Sequence, residues 1–180
     1  MDTEFLDNYE KVLEEGLVKI CANSGYVKDE LLDSPDVTAK WEDYIKDYVA
    51  DAVENFNQYP EAAIAWAAFL GMAVAAAWDK DWSKGKDAPY QSYYGSRGWD
   101  DMDEHVLRDI FYLNLEKDEA KKLSNTFMAC SYAALGLMRH EQVEAQTSTG
   151  FYVLTRTFTV MYRIGAGVAL KRLGYKKYAV

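Results

Sequence analysis

Residues 62–78 hold seventeen consecutive positions without a charged side chain, and no other feature of the sequence restricts the fold as strongly. The run is rich in alanine, and its larger apolar groups (Trp66, Phe69, Leu70, Met72, Val74) lie on every side of a helix rather than along one stripe. A helix that is apolar all round needs a non-aqueous surrounding, either a lipid bilayer or other helices. Seventeen residues is at the lower limit for spanning a bilayer. Glu61 and Asp79 bound the run, and no Lys/Arg cluster sets an orientation. The expectation is a buried helix at the centre of a bundle, opened by Pro60, a favoured first helical residue.

The rest of the chain reads the same way. With 3 Pro and 11 Gly in 180 residues, a turn-rich β architecture is disfavoured. A first helix is predicted over Thr3 to Ala22, with Phe5, Tyr9, Val12, Leu13, Leu17 and Ile20 on one side. A short helical piece follows at Lys28–Leu32. A second long helix runs from Asp36 to Asn57, with Asp43, Asp47 and Asp51 on a solvated face. A fourth spans Asp100–Leu113. The spacing predicts further central helices over 118–145 and 149–173, although the β-branched and aromatic run at 151–162 is also compatible with a strand. The fold expected is all-α, a single-domain bundle of five to seven helices over residues 1–180. Apolar helices near 60–78, 118–145 and 149–173 form its centre, and a long aromatic-rich loop covers 79–99.

Twenty Lys and Arg against twenty-nine Asp and Glu give a net charge of −9. That balance disfavours nucleic acid and anionic membrane surfaces as partners. The charge is segregated: residues 1–61 carry net −11, whereas residues 149–180 carry six basic side chains and no acid. The reading adopted is that the basic C-terminal helix packs beside the acidic N-terminal half. Cys21 and Cys130 fit neither a disulfide framework nor a zinc spacing. They are expected as buried free thiols in a reducing compartment, and a cytoplasmic location follows from that and from the absence of a signal-peptide pattern at the N-terminus.

Three constellations could carry chemistry. Asp100, Asp101, Glu104 and His105 form a candidate divalent-metal cluster, because carboxylates one helical turn apart can hold an oxygen-liking cation. Arg97 and Arg108 are its candidate anion clamps. The spelling Asp-Asp-x-x-Glu is similar to the aspartate-rich motif of isoprenoid synthases, but the second acidic motif of those longer enzymes is missing, so no family is assigned. First-turn acids also simply suit a helix N-terminus, with Asp100 or Asp101 as cap. Tyr152, Arg156, Thr159 and Arg163 form a polar stripe on the last helix. If that helix folds back on its predecessor, Arg156 lies level with His140 and Glu141, and Arg163 faces Tyr132. The pair is either an anion site or two buried ion pairs. The third constellation is the loop itself, where Trp82, Tyr93, Tyr94 and Trp99 can line a ligand site.

No complete catalytic set is present: the histidines lack di-iron spacing, and no P-loop, dinucleotide fingerprint or nucleophile elbow occurs. The first expectation is therefore a binding or interaction module that self-associates as a homodimer or binds a protein partner. One alternative is a metal-dependent hydrolase or phosphate-ester enzyme built on residues 100–105. The other is a small-ligand binder with the 79–99 loop as a lid.

Overall fold

The computed structural model describes residues 2–176, and helices account for nearly all of its regular structure. Among the described residues six helices form one bundle: α1 (Thr3–Asn23), α2 (Pro35–Phe56), α3 (Pro60–Gly85), α4 (Met102–Glu104), α5 (Asp118–His140) and α6 (Ser148–Arg172). Single 3₁₀ turns stand at Tyr90–Tyr93 and Trp99–Asp101, and a π-helical turn, His105–Ile110, continues α4. No strand occurs among the described residues, and 151–162 lies wholly within α6. The periodic apolar spacing of that segment, satisfied by burial, outweighs its β-branched content.

The centre is a pair of helices, α3 and α6, in contact along much of their length. Their backbones meet at two glycines. A Cβ on Gly71 would lie 2.1 Å from the Tyr162 carbonyl oxygen, and one on Gly165 would lie 1.7 Å from that of Ala68. Small residues on both helices thus permit an approach that larger side chains forbid. α3 is long and apolar enough to cross a membrane, and 67% of its most apolar stretch is buried inside the bundle, as in a core helix. α2 flanks the pair on one side, α5 leans on α3, and α1 packs against both α5 and α6.

The excess of tyrosine is spent largely on this core. Tyr9, Tyr48, Tyr90 and Tyr162 are almost wholly buried. Each phenol finds a partner: Tyr9 with Thr157 Oγ1 at 2.7 Å, Tyr48 with the Ala63 carbonyl at 2.5 Å, Tyr162 with the Val37 carbonyl at 2.6 Å and Tyr90 with Asp51 at 2.9 Å. A buried hydroxyl without a partner is costly, so each phenol bolts one helix to another while its ring supplies apolar area. Cys21 and Cys130 are free and buried, their sulfurs 3.8 Å apart across α1 and α5.

Several expectations need correction. α3 does not stop at Trp78 but continues to Gly85, bending at Asp81, whose backbone is extended (φ −167°, ψ 93°). The Asp81 carboxylate accepts from the Ser83 amide at 3.1 Å and hydroxyl at 2.5 Å, so it restarts the helix as an N-cap would. The irregular stretch is shorter than 79–99 as a result. Residues 28–32 form no helix. Residues 100–113 do not form one regular helix but a 3₁₀ turn, α4 and the π turn, closed by Tyr112 at φ 57°. Finally, α5 ends at His140, and α6 lies against α3 and α1, touching α5 only sparsely. The antiparallel α5–α6 hairpin is therefore absent, and Arg156 and Arg163 meet α1 instead.

Candidate ligand cleft

The acidic cluster at 100–105 is tied into local ion pairs. Asp101 is buried and binds Arg97 three times: at its backbone amide (2.7 Å), at Nε (2.9 Å) and at the guanidinium end (2.6 Å). The hydrogen bond from Arg97 holds the Asp101 carboxyl below the usual carboxylate range. This clamp closes the turn in which Gly95 and Gly98 pair, with Gly98 at φ 105°, a left-handed conformation that favours glycine. Glu104 stands 3.7 Å from Arg97, and His105 bonds Asp109 at 3.0 Å, as does the neighbouring Arg108. Asp100 is exposed. His105 and Asp109 stand at the i,i+4 spacing of helical neighbours, within the π turn. Among the described residues no three His, Cys, Asp or Glu side chains gather to hold a metal ion.

The aromatic segment packs down onto the bundle. Tyr93 and Trp99 are buried, and Tyr94 and Trp82 are partly buried against the core. Both Tyr90 and Tyr94 donate to one carboxylate oxygen of Asp51 on α2, and Trp66 donates to the Trp99 carbonyl at 3.1 Å. Asp51, read from sequence as part of a solvated face, is thus the anchor that fastens the segment to α2.

The two arginines of α6 face the acidic side of α1. Arg156 contacts Asp7 at 2.8 Å and Glu10 at 2.5 Å, and Arg163 contacts Glu10 and Glu14, each at 2.8 Å. Glu10 bridges both guanidinium groups. The segregation of charge along the sequence is therefore realised as an ion-pair ladder between α1 and α6, with Arg172 joining Glu119 of α5 at 2.5 Å.

At the inner end of this ladder lies a cleft of about 630 Å³, bounded by α1, the 26–34 connection, the start of α2 and α6. Its geometry follows from how the chain leaves α1. Gly25, at φ 83°, and Tyr26 turn their amides back to the carbonyls of Ala22 and Cys21, a terminus that redirects the chain sharply. The connection then reaches α6 at Gly167, where a Cβ would lie 2.9 Å from Leu31 Cδ2. Pro35 opens α2 immediately afterwards. The cleft is left between this strap and the ladder.

Its walls have two characters. Val18, Leu31, Leu32, Tyr162 and Ala166 are apolar. Glu14, Glu15, Asp29, Glu30 and Asp33 are acidic, against Lys19 and Arg163. Between them stands Ser34, only 4% exposed, whose Oγ has no hydrogen-bond partner. Ser34 is the N-cap residue of α2, yet its side chain makes no capping bond. Two smaller clefts, of about 440 and 290 Å³, flank the same connection. Trp82, Tyr93, Tyr94 and Trp99 line none of the three.

Of the residues singled out from sequence, Arg163 alone lines the main cleft. The others are distributed over the α1–α6 ladder, the 95–109 ion pairs and the packed aromatic segment. Ser34 was legible only as part of a Ser-Pro break, and nothing local marked its hydroxyl as unpaired. Comparison of this chain with protein-family models, with curated proteins and with solved structures finds no match.

Proposed function

We propose that this protein is a binding module for a small molecule, which seats in the cleft between α1, the 26–34 connection, α2 and α6. The observation that carries the reading is the Ser34 hydroxyl, buried and without a partner on the wall of that cleft. Tyr93 Oη, Trp99 Nε1 and Ser131 Oγ are buried and unpaired as well, but of the four only Ser34 lines a cleft described above, where a ligand's own polar group can complete it. A volume of about 630 Å³ falls within the usual range for small-molecule sites, and the lining sets five apolar side chains beside nine polar or charged ones.

The test is saturation-transfer NMR with a mixed set of small cationic, neutral and anionic fragments, on the natural protein and on Thr38→Trp. Thr38 is exposed at the cleft, so the indole blocks it without entering the core. Fragments that bind the natural protein and are lost in Thr38→Trp, at unchanged Tm, support the reading. Binding that survives the substitution contradicts it. Light scattering of the same samples reads self-association, the arrangement first expected from the aromatic content. A monomeric mass with retained fragment binding favours the cleft over an interface.

A further inference from the structure

The cleft itself says which class of molecule it takes, an inference that rests on the binding reading above. Five carboxylates and two cations line it, a net charge of −3. Glu14 and Arg163 pair with one another at 2.8 Å, and the rest of the lining, Glu15, Asp29, Glu30 and Asp33 against Lys19, keeps that net charge. One feature pulls the other way: the N-terminus of α2 opens beside Ser34, and a helix start carries roughly half a positive charge. Asp36 in the first turn, which is outside that count, offsets the half charge, so the excess of carboxylates decides the sign of the potential. The unpaired Ser34 oxygen can accept an N–H bond. The apolar floor of Val18, Leu31 and Leu32, all partly exposed, can take a hydrocarbon or aromatic body.

We infer that the ligand is an organic ammonium: a protonated amine on an apolar body, its N–H groups directed to Ser34 and the carboxylates, its body laid against Val18 and the two leucines. An acidic rim alone would hold inorganic cations loosely. The orphan hydroxyl and the apolar floor are what call for an amphipathic cation.

The experiment is isothermal titration of the full chain, at low ionic strength and pH 7, with three probes on one skeleton: hexylammonium chloride, hexanol and sodium hexanoate. The expected result is hexylammonium bound at least about tenfold more tightly than either of the others. Ser34→Ala, which removes no hydrogen bond of the free protein, then weakens hexylammonium about fivefold, the worth of one net hydrogen bond, with Tm unchanged. Glu15→Gln combined with Asp33→Asn weakens it further and flattens its salt dependence. Hexanol or hexanoate binding as tightly as hexylammonium in the cleft overturns the ligand class and leaves the binding reading intact. An affinity for hexylammonium that Ser34→Ala does not change overturns the assigned site. Absence of binding by all three probes, with no cleft-dependent binder in the fragment set, overturns both.

Discussion

Gly165 of α6 lies so close to Ala68 of α3 that a Cβ on the glycine would stand 1.7 Å from the alanine's carbonyl oxygen. No rotamer relieves that overlap, because both partners are backbone. Gly165→Ala is therefore expected to separate the central helices and to cost more than about 4 kcal/mol, a large share of the stability of an ordinary domain. Gly136, within α5, has nothing within 4 Å of its Cβ position. Gly136→Ala is expected to stabilise by about 0.5–1 kcal/mol through helix propensity. Urea denaturation of both variants checks the contrast, and equal effects would refute the close crossing.

The α1–α6 ladder depends on Glu10, whose carboxylate joins Arg156 and Arg163 and is 19% exposed. Glu10→Gln leaves both arginines short of a partner in a half-buried setting, and a loss of about 1–3 kcal/mol is expected. Glu4→Gln, at an exposed position on the same helix, should stay within about 0.5 kcal/mol of the natural protein. Guanidinium-free unfolding, by heat or urea, avoids screening the ladder during the measurement.

Asp103 sets a pH dependence. Burial pushes its carboxyl up to about 6 from 3.8, so the native state binds its proton more tightly than the unfolded chain does. Its contribution to stability is complete below the unfolded value and is lost as pH rises through about 6. Asp103→Asn, which resembles the protonated form, should raise stability at pH 8 by on the order of 2 kcal/mol and change little at pH 3. Thermal melts of both proteins across that range read the crossover. A variant destabilised at pH 8 would show that the ionised carboxylate is needed.

The two thiols should be silent in the native state. Cys130 is held above the ordinary thiol range by its hydrogen bond with Cys21 and by burial, and both side chains are inaccessible. Thiolate is the reactive form, so modification by an aromatic disulfide reagent should proceed only through opening, about a thousandfold or more slower than in urea. Prompt reaction of either cysteine without denaturant would place it at the surface.

How far the sequence reached depends on range. The first, second, fifth and sixth helices stand within a few residues of where periodic apolar spacing puts their starts, and the uncharged run of 62–78 is the buried core helix expected of it. These features follow from local repetition. The misplacements arise from contacts that no local pattern carries. Asp81 caps the end of α3 with a carboxylate that reads simply as charge, so the helix continued where a loop was expected. Arg156 and Arg163 need partners inside a bundle; chain adjacency points to α5, whereas the acids of α1 complete the pairs. Asp51 and Ser34 show the same lesson at the functional level. One looked solvated and anchors two tyrosines; the other looked like a helix break and holds an unpaired hydroxyl at a cleft assembled from four separate segments.

The most direct measurement is a heteronuclear NMR titration of the natural protein with hexylammonium chloride, following every backbone amide. Saturable shifts confined to the cleft wall, among them Ser34, Thr38, Leu31, Leu32 and Ala166, are expected, and their loss in Ser34→Ala or Thr38→Trp. Shifts spread over other acidic surfaces such as Asp43 and Asp47, or no saturable shift at the cleft, would contradict the proposed site.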